Sequence, residues 1–176
     1  MADVALGGDP AALLDALGDE AAREALRRCC GSTRWVAGML AKRPFGSRER
    51  LFADARAVWS ELAAADYLEA FSHHPPIGGN LAAARTKDAT ALAWSGAEQA
   101  GVAQAAEATL SALRDANATY LARFGHVFLV CATGKSAAEM LALLQARLPN
   151  DAETELRVAA GEQAKITEIR LGKLSA

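Results

Sequence analysis

Residues 51–62 read LFADARAVWSEL, and the apolar side chains in this stretch recur at helical spacing, at Leu51, Ala55, Val58, Trp59 and Leu62. Side chains so spaced lie on one face of an α-helix, so the stretch is predicted to be an amphipathic helix that buries this face. The same kind of spacing returns at Val102, Ala106, Leu110, Leu113 and Tyr120. Alanine, the strongest intrinsic helix former, is abundant along the whole chain. These observations predict an all-α fold.

Capping and helix-breaking residues divide the chain into about seven to nine predicted helices. Pro10 and Gly18 frame the first helix, and Asp19 and Ser32 stand before the next two. Further helices are predicted over residues 47–62, 67–71, 95–125, 136–148 and 151–171. At 176 residues the chain is long enough for one hydrophobic core. We therefore predict a compact single-domain bundle over residues 1–176.

Residues 124–132 (FGHVFLVCA) interrupt the helical pattern with β-branched and aromatic side chains. Taken alone, this composition is typical of a short strand. The rest of the sequence offers no partner strand, and a lone strand cannot satisfy its own backbone hydrogen bonds. We therefore predict an extended, buried segment whose N–H and C=O groups are available to other partners.

Charge and cysteine content exclude several classes of protein. Lys and Arg number 19 and Asp and Glu number 21, which gives a net charge of −2 without a basic block, so nucleic acid is not an expected partner. The three cysteines, of which Cys29 and Cys30 are adjacent, form no disulfide or zinc-binding pattern and are typical of a reducing compartment. The chain has no signal-peptide pattern and no apolar run near the ~20 residues of a membrane span. We expect a cytoplasmic protein that does not enter a membrane.

A rigid loop is predicted at residues 72–80 (SHHPPIGGN), because paired prolines and paired glycines exclude helix. His73 and His74 lie in this loop, and the ordinary histidine pKa of ~6.5 suits proton transfer near neutrality. Two solvent-exposed histidines are the simpler interpretation, but the prolines restrict the backbone at His74 more than an idle loop requires. His126 and the cysteines stand at no metal-ligand spacing, so no metal site is predicted.

Two segments have the form Ser-x-x-Glu, the capping box of a helix start: Ser95 to Glu98 and Ser136 to Glu139. In such a box the hydroxyl and the carboxylate satisfy free backbone N–H groups. The second box receives only this structural interpretation. The first is followed by an Ala-Gly pair at residues 100–101, whose small side chains would let another element or a ligand approach closely.

The last predicted helix combines polar and apolar side chains on one face. At ~100° per residue, Gln163 and Arg170 project on the same side as Leu156, Ala159 and Ile166. An inward arginine keeps its charge and is costly to bury unless an anion meets it. That anion is either a protein carboxylate, which is the commoner arrangement, or a bound ligand.

Four motifs, in this order, resemble the OHCU decarboxylase family, whose members convert 2-oxo-4-hydroxy-4-carboxy-5-ureidoimidazoline (OHCU) to (S)-allantoin in urate catabolism. They are HPPIG at 74–78, SGAEQAG at 95–101, FGHVFLVCA at 124–132, and RLPND at 147–151 with the terminal segment 163–171. The resemblance extends from residue 35 to residue 171, and so over most of the chain.

The resemblance implies an all-helical homodimer that uses neither a metal nor an organic cofactor. It makes His74 the catalytic residue. It implies that the substrate OHCU and the product allantoin contact Pro75, Ser95, Glu98, Gln99, Val130, Cys131, Ala132, Thr133, Gly134 and Arg170. Two positions depart from the family pattern: many members have a polar or charged residue in place of Pro76, and an apolar or aromatic one in place of His126. Both departures bear on pocket shape and so on substrate preference.

The chemistry agrees with this implication, because the electron pair left by loss of CO2 can enter the substrate's own conjugated ring without a borrowed electron sink. The protein must bind the anion, hold its carboxylate out of conjugation and direct a proton to one face. His74 is the expected proton donor and Arg170 the expected anion-binding group, while Glu98 and Gln99 are expected to bind substrate N–H groups. Two other hypotheses stay open: a non-catalytic helical binding module, and a relative that acts on a different ureido or heterocyclic anion.

Overall fold

The computed structural model describes residues 8–76 and 107–174. Over these two ranges the regular secondary structure consists of eight helices: α1 (Pro10–Ala16), α2 (Asp19–Cys29), α3 (Thr33–Lys42), α4 (Arg48–Ser60), α5 (Ala64–Ser72), α6 (Glu107–Phe124), α7 (Ala137–Arg147) and α8 (Ala152–Gly172). The predicted all-α fold is confirmed. The helix start predicted near Ser95 lies outside the described residues. Within the described ranges, no helix is both long enough and apolar enough to cross a membrane.

Four helices begin where the sequence predicts, because each has a side-chain cap. The Oγ atoms of Ser32 and Ser47 and a carboxylate oxygen of Asp151 each accept the backbone N–H three residues further on. In the predicted box, the Glu139 carboxylate accepts the Ser136 N–H at 2.8 Å, and Ser136 Oγ accepts the Glu139 N–H at 3.2 Å. A cap of this kind stabilises a helix start by about 1 kcal/mol. The second Ser-x-x-Glu segment thus has its predicted structural role.

The larger hydrophobic core lies where α8 packs against α2, α4 and α5. Trp35 and Phe71 are completely buried in it. The indole N–H of Trp35 donates to the Ala55 carbonyl, and the indole N–H of Trp59 donates to the Ala160 carbonyl, both at 3.1 Å. Because the second bond joins α4 to α8, it connects the middle of the chain to its last helix.

The extended segment, residues 126–132, joins this core to a smaller one between α6 and α7. After α6 ends at Phe124, Gly125 turns the chain with φ of 75°, a left-handed conformation that favours glycine. Phe128 and Val130 belong to the smaller core, while Leu129 between them belongs to the larger one. The prediction of an extended buried segment is confirmed, with its start moved from residue 124 to residue 126 because the helix continues through Phe124.

Charged side chains satisfy the backbone of the extended segment. Glu162 Oε2, on α8, accepts the Cys131 N–H at 2.7 Å. Arg147 Nη1, on α7, donates to the Leu129 carbonyl at 2.7 Å, and Lys135 Nζ donates to the Cys131 carbonyl at 2.8 Å. The predicted availability of these backbone groups is therefore confirmed, and their partners here are side chains instead of a neighbouring strand.

A buried polar network anchors the end of α7 to α6 and α8. Glu155 is fully buried, and its carboxylate accepts hydrogen bonds from Arg147 Nε and Asn150 Nδ2, each at 2.8 Å. The Tyr120 hydroxyl donates to the same carboxylate. Burial and this hydrogen bond raise the pKa of Tyr120 well above its usual range, so the phenol stays protonated and remains a donor. The RLPND motif thus begins with a structural arginine.

Candidate functional site

Helix α5 brings the two histidines to one end of the larger core. The helix runs to Ser72, beyond the predicted end at Phe71, and the His74 N–H donates to the Phe71 carbonyl at 3.0 Å. Pro75 has no N–H with which to continue the helix. The loop therefore begins at His73, because the last carbonyls of α5 still find N–H partners before the prolines. Its predicted remainder, residues 77–80, lies outside the described residues.

His73 packs on the turn between α2 and α3. A Cβ at Gly31 would lie 2.5 Å from His73 Cγ and 2.9 Å from His73 Cβ, both shorter than real contacts of a Cβ atom. Position 31 therefore has room only for glycine while α5 keeps its place. The contact places the first residue of the loop close to the end of α2.

The substitution Gly31→Ala is expected to destabilise the fold by about 1–3 kcal/mol, because the added methyl group overlaps His73 and forces α5 to shift. Gly161→Ala is the matched control. Gly161 lies within α8 with open space around the position of a Cβ, and alanine is the better helix former by about 1 kcal/mol. Urea denaturation should thus show changes of opposite sign. If Gly161→Ala lowered the free energy of unfolding and Gly31→Ala did not, the packing of His73 on Gly31 would be contradicted.

Helix α8 supplies the inward polar face predicted from the sequence. Gln163 and Arg170 are buried, as are Ala159 and Ile166 on the same side, which confirms the predicted orientation. Thr167 is also buried on this face, and Gln163 Nε2 donates to Thr167 Oγ1 at 3.1 Å. The threonine was absent from the predicted site because a single hydroxyl within a helix carries no local signal.

The structure brings His74 and Arg170 together, because α5 and α8 pack against each other. His74 keeps some exposed surface, but protein atoms surround its imidazole. Burial first, then the Arg170 guanidinium and more weakly His73, lower the pKa of His74 to about 3, while the nearby Gln163 side chain acts in the opposite direction. The imidazole is therefore neutral at pH 7.

The stability of the protein should depend on pH through this histidine. Its folded pKa of about 3 lies below the ordinary 6.5, so between these values the unfolded chain binds more protons and the free energy of unfolding falls as the pH falls. This stabilisation is fully present above pH 6.5 and is lost toward pH 3. Urea denaturation should therefore show His74→Asn gaining stability relative to the wild type as the pH is lowered from 7 to 4. An unchanged difference between the two proteins would contradict the low pKa.

Two buried thiols lie behind the inward polar face. Burial raises the pKa of both Cys29 and Cys30 to about 12, against the opposing effect of Arg170. Both are protonated at neutral pH, and a protonated thiol is neither a nucleophile nor a metal ligand. The nearby Thr167 hydroxyl also opposes the rise in the pKa of Cys30. In the part of the chain that the structure describes, no group of three or more His, Cys, Asp or Glu side chains could hold a metal ion.

The predicted substrate-binding residues after α6 differ in exposure: Val130 and Ala132 are buried, Cys131 is partly buried, and Thr133 and Gly134 are exposed. Glu162, which binds the Cys131 N–H, is adjacent in sequence to Gln163. The segment therefore crosses α8 at the level of the inward polar face. Pro75 is partly buried beside His74. The remaining predicted residues, Ser95, Glu98 and Gln99, lie outside the described residues.

His126 occupies a place suited to an aromatic ring. It is buried, and its ring centroid lies 5.2 Å from that of Phe71 and 5.5 Å from that of Tyr120. These contacts connect the extended segment to α5 and α6. At this position, where the family pattern has an apolar or aromatic residue, the imidazole of His126 packs as an aromatic ring.

The helical fold, with a neutral imidazole near a guanidinium, defines a class of small helical proteins in which a proton acceptor lies near an anion-binding group. The model of the OHCU decarboxylase family matches residues 15–172. The chain is 38% identical over 147 residues to the uric acid degradation bifunctional protein TTL of Arabidopsis thaliana. That match covers 83% of this chain and 45% of the relative, so the chain spans less than half the length of this curated protein.

Two solved structures are similar to the chain. An OHCU decarboxylase crystallised in the presence of (S)-allantoin matches with a TM-score of 0.73 and 33% identity, over 89% of this chain and 97% of that one. An (S)-allantoin synthase shares the fold, with a TM-score of 0.64 and 18% identity over 92% of this chain and 52% of that one.

The chain belongs to the OHCU decarboxylase family, because the family model covers most of its length. Together with the similar proteins, this match confirms the predicted family, which is a family of carboxy-lyases that act at a decarboxylation step of urate degradation.

Proposed function

We propose that this chain converts OHCU to (S)-allantoin by stereoselective decarboxylation, without a metal or an organic cofactor. The observation that carries this proposal is the approach of the neutral His74 imidazole to the Arg170 guanidinium at one end of the larger core. The similar structure crystallised with (S)-allantoin supports the same class of ligand.

In the proposed reaction His74 acts first as a base and then as an acid. Because its pKa is low, the free imidazole is neutral at pH 7 and can accept the proton of the substrate hydroxyl group. The bond between the ring carbon and the carboxylate then breaks, CO2 leaves, and the electron pair enters the adjacent C=N bond of the ring. The imidazolium returns its proton to the ring carbon that bears the ureido group. The hydroxyl carbon becomes a carbonyl, and a proton from solvent completes the neutral product.

Arg170 is proposed to bind the anionic substrate through charge-assisted hydrogen bonds. The guanidinium disfavours the imidazolium form of His74 in the free enzyme. A bound anion would offset this positive charge, which would raise the pKa of His74 while the substrate is present and ease the proton transfer.

Other residues complete the proposed pocket: Pro75, Ser95, Glu98, Gln99, Val130, Cys131, Ala132, Thr133 and Gly134. Within the last five, the Cys131 N–H is already bonded to Glu162. The proposed backbone contacts with the ligand therefore fall mainly to the neighbours of Cys131.

Circular dichroism tests the proposed reaction. Fresh OHCU prepared from urate also decays unaided, but that decay gives racemic product. The protein should therefore produce a developing optical signal of (S)-allantoin, which the His74→Asn variant should not reproduce. Racemic product at the unaided rate, in the presence of correctly folded wild-type protein, would reject the proposed reaction.

We also propose that the chain acts in the cytoplasm as a homodimer. Family membership supports the dimer, and the three free cysteines, Cys29, Cys30 and Cys131, support a reducing compartment. Sedimentation equilibrium should give about twice the chain mass of 18.4 kDa. A mass of one chain at every concentration used in the activity assay would reject the dimer.

A further inference from the structure

Gln163 is a buried amide that forms a hydrogen bond through its NH2 group and none through its oxygen. The residue has no exposed surface, and its Nε2 donates to Thr167 Oγ1 at 3.1 Å. Its Oε1 is buried as well, and among the described residues no well-formed hydrogen bond reaches it. A buried carbonyl oxygen without a donor loses its hydrogen bonds to water and gains none in return, so proteins seldom keep one without a reason.

The orientation of this amide follows from its neighbours. Because Nε2 is the atom that donates to Thr167 Oγ1, the NH2 side of the Gln163 amide faces Thr167, and the carbonyl side faces away from it. Gln163, Thr167 and Arg170 share one face of α8, and α5 with His74 packs against this helix.

The imidazole of His74 is the group that the amide oxygen can serve. Helix α5 packs on α8, and Gln163 raises the pKa of His74 as an acceptor of a ring N–H would, although in this structure the pair falls short of a well-formed hydrogen bond. Arg170 on α8 and His73, directly after α5, are the charged and titratable groups that act on His74 among the described residues, and both disfavour its protonated form. The neutral amide is thus the contact that favours a proton on the imidazole.

We propose that Gln163 is a positioning residue, whose amide oxygen accepts the ring N–H of His74 and so holds the neutral imidazole in one tautomer with its bare nitrogen toward the substrate. This inference rests on the proposed function. A neutral imidazole has two tautomers, and only the one whose lone pair faces the substrate can take the hydroxyl proton. An amide selects the tautomer without adding a charge.

Two substitutions at position 163 and one control test this role. Gln163→Met keeps the size of the side chain but removes the acceptor oxygen. We expect kcat to fall about tenfold or more, because acid–base catalysis contributes about 10²- to 10⁴-fold to the rate and the variant should lose part of this contribution. KM should change little, because the substrate contacts remain. Glu168→Gln, on the exposed surface of the same helix, should leave both constants unchanged.

Gln163→Glu places a carboxylate beside the imidazole and should raise the pKa of His74. The acid limb of the kcat/KM profile should therefore move to higher pH by about one unit or more. If Gln163 served only in packing, both variants would be less stable than the wild type. The acid limb of the kcat/KM profile would then keep its pH, and kcat would not fall selectively relative to the change in KM.

Nuclear magnetic resonance gives a readout that does not depend on activity. With ¹⁵N-labelled histidine, His74 can be identified among the three histidines by its loss in His74→Asn. The wild type should show one neutral tautomer for His74 at pH 7, and Gln163→Met should show a mixture. Two tautomers of His74 in the wild type, or the same single tautomer in both proteins, would overturn the proposal. If Gln163→Met fails to fold, the wild-type spectrum alone tests whether His74 has one tautomer. If the wild type forms no (S)-allantoin, the proposed function is rejected. The spectrum still tests, independently of that result, whether the Gln163 amide accepts the ring N–H of His74.

Discussion

Replacement of His74 by asparagine is expected to lower kcat by about 10²- to 10⁴-fold, which is the usual contribution of acid–base catalysis. Asparagine retains a polar side chain but cannot take up the hydroxyl proton. The backbone bond from the residue 74 N–H to the Phe71 carbonyl does not depend on the side chain, so α5 should end as it does in the wild type. The measurement is the initial rate of (S)-allantoin formation at saturating OHCU, with far-ultraviolet circular dichroism to establish the fold.

His73→Asn is the matched control, because it makes the same change one residue earlier. His73 packs on Gly31 and has no proposed part in proton transfer. This variant should keep most of the turnover. Full activity of His74→Asn, or equal losses in the two variants, would show that another group transfers the proton.

Glu155→Gln is expected to lower the free energy of unfolding by about 3–5 kcal/mol, the usual cost of breaking a buried ion pair from one side. Glu155 is fully buried and the Arg147 side chain is only 11% exposed, so the guanidinium would be left with an uncompensated charge. The Tyr120 hydroxyl and the Asn150 amide would lose a charged acceptor at the same time. Urea denaturation at pH 7, with the slope against denaturant held constant, measures the loss.

Glu153→Gln is the control for this change, because Glu153 lies on the same helix, and its side chain is 83% exposed in a surface ion pair with Arg157. An exposed pair contributes little, so the change should stay within about 0.5 kcal/mol. A similar small effect for Glu155→Gln would mean that water reaches the network. Because Arg147 also holds the Leu129 carbonyl, the variant should loosen the extended segment that the proposed pocket uses.

The helices of the described residues could be predicted because their signals are local. The Oγ atoms of Ser32 and Ser47 bind N–H groups three residues away, so these caps are readable within one turn of sequence. The boundaries that moved most are those of α5, which begins at Ala64 instead of Tyr67 and ends at Ser72 instead of Phe71, because a helix extends for as long as its terminal backbone groups find hydrogen-bond partners. The inward position of Arg170 was likewise predictable from the angle between successive residues of a helix.

Part of the candidate site could not be predicted. Glu162 resembles any surface carboxylate in the sequence, and its bond to the Cys131 N–H depends on a segment that crosses α8 from far along the chain. The need for glycine at position 31 depends on the ring of His73, which α5 places there. Neither residue belongs to a motif, and in each case the contact with the candidate site comes from a residue far along the chain, Cys131 for Glu162 and His73 for Gly31.

The sequence by itself determined that the chain is helical, where most of its described helices begin, and which face of α8 is turned inward. Each of these follows from hydrogen bonds and side-chain directions that repeat within four residues. Only the tertiary structure decided that the imidazole of His74 is neutral beside Arg170, and that Glu155 and Glu162 hold neighbouring elements in place. Burial and electrostatic interaction depend on distance in space, and the packing of α5, α7 and α8 sets those distances between residues far apart in the chain.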